Sequence, residues 1–173
     1  MNEKFIVGII VSNHFGVLNR VAGLYAKRGY NIDSLAVGET ENPSFSRMTI
    51  VSTGDEYMKS QVLMQLEKLH DVKMVVSLEK ENAVSIEHML IKLKADETGK
   101  AAISSLINDY GGKVMDFGGD FITAEITGSS EKIERFIDEV RSIGILEVCR
   151  SGLISMVQGN NNILSIKELT KGG

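Results

Sequence analysis

Two kinds of apolar periodicity alternate along this chain, and they do so in the same order twice. Short apolar runs or period-2 alternation mark strands, while apolar residues at i, i+3, i+4 and i+7 mark helices. The first series reads strand 4–12, helix 16–28, strand 31–39, strand 46–53, helix 55–69 and strand 71–79. The second begins with the strand Ile86–Leu93 and a helix carrying Ile103, Leu106, Ile107 and Tyr110. Strands Lys113–Phe117 and Phe121–Thr127 follow, then a helix with Ile133, Phe136, Ile137 and Val140, and a last strand near 145–157.

Strand, helix, strand, strand, helix, strand, repeated, predicts an α+β chain of two ferredoxin-like βαββαβ domains. Each would be a four-stranded antiparallel sheet with both helices on one face. Turn chemistry supports the breaks: Gly29 follows Lys27 and Arg28 at a helix end, and Glu41-Asn42-Pro43-Ser44 separates two strands. Gly54-Asp55 caps the second helix, either Asp96 or Thr98 caps the third, and Gly118-Gly119-Asp120 suits a hairpin. Charge interrupts the apolar pattern at residues 80–84, which places a domain boundary there: 1–79, 85–159, and a tail, 160–173. The tail reads as frayed, with a short docking segment at Ile163-Leu164-Ser165-Ile166 as the other option.

Composition narrows the function. A net charge of −4 with dispersed Lys and Arg, 6% aromatics and no tryptophan argue against nucleic acid. The single cysteine, Cys149, excludes an internal disulfide and suits a reducing, cytoplasmic setting. The apolar run near the N-terminus is too short to span a bilayer. Cys149 reads as core filler, and the eight methionines read as packing. His14, His70 and His88 fall in three different elements, without metal-ligand spacing. No phosphate-cradling glycine motif and no Cys-x-x-Cys occurs, so an enzyme is disfavoured.

What remains is a junction. An uncharged strand ends at Asn13, and Gly16 opens an amphipathic helix whose first N–H groups are unpaired and favour an anion. Such a place can hold a small carboxylate without transforming it.

The loop Asn13-His14-Phe15-Gly16-Val17-Leu18 resembles the first loop of ACT domains, regulatory modules that bind amino acids. The run Arg20–Leu35, with Val37-Gly38-Glu39-Thr40-Glu41 and Ser46-Arg47-Met48-Thr49-Ile50-Val51, is similar to the regulatory small subunit of acetolactate synthase (acetohydroxyacid synthase). Met89-Leu90-Ile91-Lys92, Thr127-Gly128 and Arg150-Ser151-Gly152 fit that family's C-terminal domain, and the resemblance spans about 4–159. Phe15, Asn19 and Tyr25 depart from its usual pattern.

The resemblance implies a non-catalytic cytoplasmic subunit that activates a large catalytic subunit and confers feedback inhibition by valine. Thiamine diphosphate, a divalent metal and FAD would belong to that large subunit, and no cofactor to this chain. The expected valine site is Asn13, His14, Phe15, Gly16, Val17, Leu18, Asn31 and Ile32. The N–H groups of Gly16, Val17 and Leu18 would take the carboxylate, and a Cβ at position 16 would crowd it. The amide oxygen of Asn13 or Asn31 would take the ammonium, with Leu18 and Ile32 against the isopropyl group. Asn31 would open the second strand, facing the same loop or that loop's copy in a partner. The strand Asn31–Glu39, with small Ser34, Ala36 and Gly38, would be an exposed edge that pairs two copies into a homodimer. The main rival is an ACT-type sensor serving another enzyme or transcription; a lesser one is an acylphosphatase-like hydrolase using Arg20.

Overall fold

The computed structural model describes residues 3–163. Its first six elements are β1 (Glu3–Ser12), α1 (Val17–Lys27), β2 (Ser34–Glu39), β3 (Phe45–Gly54), α2 (Glu56–Glu67) and β4 (Val72–Ser77). The next six repeat that order: β5 (Ala83–Lys94), α3 (Lys100–Asp109), β6 (Lys113–Phe117), β7 (Phe121–Gly128), α4 (Ser130–Val140) and β8 (Ile145–Val157). The strands form two four-stranded sheets, ordered β2-β3-β1-β4 and β6-β7-β5-β8, with antiparallel ladders. This is the α+β, twofold ferredoxin-like architecture that the periodicity predicts.

The chain divides into two compact units, one being Ile86–Gly152 and the other the residues before and after it. In the first unit, Phe5, Val7, Ile9 and Val11 alternate along β1 and meet Val17, Val21, Tyr25, Val62 and Leu66 from the helices in one core. The other face of the same sheet is also covered. Ile6, Ile10 and Met74 pack with Val76, Leu78, Val157 and Ile163. Here Ser155 accepts from the Arg47 guanidinium through its carbonyl at 2.8 Å, and the Leu153 N–H reaches Ser34 Oγ at 3.0 Å. β1 is therefore apolar on both sides because both sides are buried. Of the tail, Ile163 belongs to this packing; the rest of the candidate docking segment lies outside the described residues.

In the second unit Met89, Ile91 and Leu93 meet Ile103, Ile107, Ile133, Phe136 and Val140. Arg150 bridges the buried Glu87 and Glu134, and the Glu87 carboxylate raises the guanidinium pKa further. The caps follow from side chains. Asp55 accepts from the Met58 N–H at 2.8 Å, and Ser129 from the Lys132 N–H at 3.2 Å.

Three expectations need correction. The second strand starts at Ser34, not Asn31, because Asn31 turns its amide back onto the Asp33 carboxylate; Asp33, which also accepts from the Thr53 hydroxyl, still gives its N–H to the Val51 carbonyl of β3. Cys149 is exposed, not core, since β8 is an edge strand with residues 146–151 open to solvent. The methionines are not all packing: Met48 and Met89 are buried, whereas Met64, Met115 and Met156 are exposed. No helix among the described residues is long and apolar enough to cross a membrane.

Candidate functional site

Strand β1 ends at Ser12, and the four residues after it form the turn into α1. Gly16 is the residue before the helix, with φ +86°, a left-handed conformation that side-chain-bearing residues rarely adopt. A Cβ there would meet no atom of the described residues within 4 Å. The glycine thus answers the backbone first, and the space beside it is open. No side chain caps the helix. The Val17 N–H has only a long bond to the His14 carbonyl, at 3.5 Å, and the N–H groups of Gly16 and Leu18 have no partner among the described residues. Phe15 projects into solvent at 97% exposure, and Leu18 is also exposed.

The loop is held from both flanks. On one side the Asn13 amide donates both hydrogens, to Glu39 Oε1 and to the Pro43 carbonyl, each at 2.9 Å, and the Asn13 N–H bonds the Ser44 carbonyl. On the other side stands Asp71, at the start of β4. Its carbonyl accepts from the Ser12 N–H at 2.8 Å, its Oδ1 from His14 Nε2 at 2.9 Å, and its Oδ2 from Arg20 Nη1. Burial works to raise the Asp71 pKa, but the bonds and charges of Arg20 and His14 outweigh it and hold the group below the usual carboxylate range. An ionised carboxylate accepts only, so His14 Nε2 carries a proton toward it.

Of the eight predicted site residues, the structure brings six together, Asn13 to Leu18. Asn31 and Ile32 are elsewhere. Ser34 of β2 and Ile6 of β1 both face Val51 of β3, which puts the start of β2 six residues short of Ser12, about 20 Å at 3.3 Å per residue. Within one chain Asn31 does not face the loop, and Ile32 packs against its own core. Asn31 resembles Asn13 in one respect. Its Nδ2 donates to Asp33 at 2.6 Å, so in both asparagines the amide oxygen is an acceptor with no donor among the described residues.

Sequence reasoning missed Asp71, and gave Arg20 a part only in the lesser, acylphosphatase-like rival. The signal for Asp71 was slight: one acid between His70 and the apolar Val72, where a strand was already drawn. The ion pair with Asp71 also occupies the guanidinium that an acylphosphatase-like site would need. Among the described residues no group of three or more His, Cys, Asp and Glu is placed to hold a metal.

Known proteins match both halves of the chain. Residues 7–74 match the family described as AHAS small subunit-like ACT domain, and residues 86–159 match the small subunit of acetolactate synthase. The chain belongs to the acetolactate synthase small-subunit family. A probable small subunit from Methanothermobacter thermautotrophicus is 39% identical over 162 residues, 93% of this chain and 96% of that protein. The isozyme 3 small subunit of Escherichia coli is 36% identical, over 90% of this chain and 96% of its own. The crystal structure of the Thermotoga maritima small subunit superposes with a TM-score of 0.85 at 36% identity, covering 92% of this chain and 99% of that one. Both halves of the small-subunit family are therefore represented in one chain.

Proposed function

We propose that this chain is a regulatory subunit that binds valine between two copies of its first unit, raises the activity of a large acetolactate synthase subunit, and makes that activity valine-sensitive. The observation that carries the reading is the uncapped N-terminus of α1. Its N–H groups offer donors and a favourable potential to a carboxylate, and among the described residues nothing fills the space beside Gly16.

The ammonium requires acceptors, and the separation of Asn31 from Asn13 suggests where they come from. β2 is an edge strand with its outer side unpaired in the sheet order. If two β2 strands pair antiparallel about a twofold axis, the Ser34 end of one lies beside the Glu39 end of the other. That brings Asn31 of one copy next to the Asn13–Leu18 loop of its partner, once on each side. A homodimer with two such sites follows, each built from both chains. Leucine and isoleucine would fit less well than valine by roughly 1–3 kcal/mol, the value of a methylene in an apolar pocket. Coupling of about 1–3 kcal/mol between this site and the catalytic subunit gives strong feedback, and linkage demands the same coupling in reverse. Thiamine diphosphate, metal and FAD would sit on the large subunit, outside this chain.

Titration calorimetry of the purified chain with valine, leucine and isoleucine tests the site. Saturable valine binding, one molecule per chain in a dimer, supports it, and heat indistinguishable from dilution defeats it. Adding the chain to an isolated large subunit tests the role: acetolactate formation should rise and become inhibitable by valine.

A further inference from the structure

We infer that Asp71 is a positioning residue for the effector loop, an inference that rests on the proposed valine site. The Asp71 side chain is buried, with only 5% exposed. A buried carboxylate is costly unless it is paired and hydrogen-bonded, and both of its side-chain partners come from one short stretch. Arg20 and His14 are each about half exposed. Together with the Ser12 N–H on its carbonyl, Asp71 grips the chain before the loop, within it, and in the first turn of α1. The open N–H groups at Gly16 and Leu18 lie between the outer two grips. The core beneath is apolar and complete without this anion. Asp71 thus fixes where the helix amides point and holds the Arg20 and His14 side chains to one side of them.

The test is a double-mutant cycle on the full chain, with valine affinity read by calorimetry at a temperature where circular dichroism shows each variant folded. Asp71→Asn should raise the valine Kd about tenfold or more, the effect of losing charge-assisted bonds that orient a site. The pair His14→Gln with Arg20→Gln, both at half-exposed positions, should do the same. Asp71→Asn added to that pair should change Kd less than about twofold, because its partners are already gone. Amide hydrogen exchange at residues 13–18 should quicken in Asp71→Asn without ligand while the β1 and β3 amides stay protected. A role in stability alone would lower the melting temperature and leave both the Kd and the loop exchange unchanged, and that result overturns the inference. If Asp71→Asn does not fold, the His14 and Arg20 pair decides: wild-type affinity there overturns it equally. Wild-type protein that binds no branched-chain amino acid defeats the effector reading and this inference together, whereas wild-type binding with unaffected variants defeats this inference alone.

Discussion

Asn13 and Asp96 stand at matching places in the two copies of the unit, each three residues before the glycine that precedes a helix, and their side chains turn opposite ways. Asp96 turns inward. Its Oδ1 accepts the Gly99 N–H at 2.7 Å and the Thr98 hydroxyl at 2.8 Å, and Gly99 adopts an ordinary right-handed φ of −84°. Asn13 turns outward to Glu39 and Pro43, and Gly16 is left-handed with no cap at all. The same βαββαβ scaffold therefore sets a carboxylate against the residue before one helix and none before the other, although neither helix has a side-chain cap on its own amides. The proposed effector carboxylate would find the first junction open, whereas at the second a built-in carboxylate already takes the Gly99 N–H.

The comparison breaks most sharply at Gly16. Gly16→Asp puts an anion where the ligand's would sit and forces a side chain onto a left-handed backbone, so valine affinity should fall a hundredfold or more, about 3 kcal/mol. Calorimetry checks this, and Gly16→Asn, better tolerated at such a φ, should fall less. Asn13→Asp imitates the second junction. The new carboxylate repels Glu39, loses its donors to Pro43 and swings toward the Gly16 N–H, with an expected tenfold to hundredfold rise in valine Kd at unchanged helix content. Asp96→Ala should do the converse: valine affinity stays at the wild-type value while the second unit melts a few degrees lower at neutral pH.

That last effect carries a pH signature. The Thr98 hydroxyl and the Gly99 N–H hold the Asp96 pKa below its usual range. The stability it contributes is then present above the unfolded value of about 3.9 and is lost as pH falls below that toward the folded one. The melting gap between wild type and Asp96→Ala should shrink on acidification below about pH 4. The smallest change lies beneath the first junction. Tyr25 is buried with its hydroxyl unpartnered among the described residues; Ser52 stands near enough to temper the upward push of burial on the phenol without completing a hydrogen bond. Tyr25→Phe should raise the melting temperature by a few degrees, as removing a buried unsatisfied hydroxyl does, with valine affinity unaltered.

Periodicity carried the fold because each helix sets apolar residues at helical spacing into the core and each central strand has a buried face. Val62 and Leu66, or Ile103 and Ile107, announce themselves by spacing alone. The junction at Gly16 was legible for a similar reason: a change of period at a glycine is a local signal. Three-dimensional neighbours were not. Asp71 meets His14 and Arg20 across more than fifty residues, and no spacing rule registers a carboxylate brought in from another loop. Edge position misled too. Cys149 sits in apolar sequence, and only the order β6-β7-β5-β8 places it at a rim. Asn31 failed for the opposite reason, since its amide turns back onto Asp33, a local bond that the apolar spacing of its neighbours does not register.

The second face of the first sheet has a consequence for synthesis. Ile6, Ile10, Met74, Val76 and Leu78 wait for Val157 and Ile163 to cover them, and residues 86–152 must be translated in between. At about 5–20 residues per second the ribosome leaves this greasy patch bare for some 3–13 s. A nascent chain stalled in that interval offers trigger factors and holdases their handle, and a gene fragment truncated before β8 should express as inclusion bodies where the longer chain stays in solution.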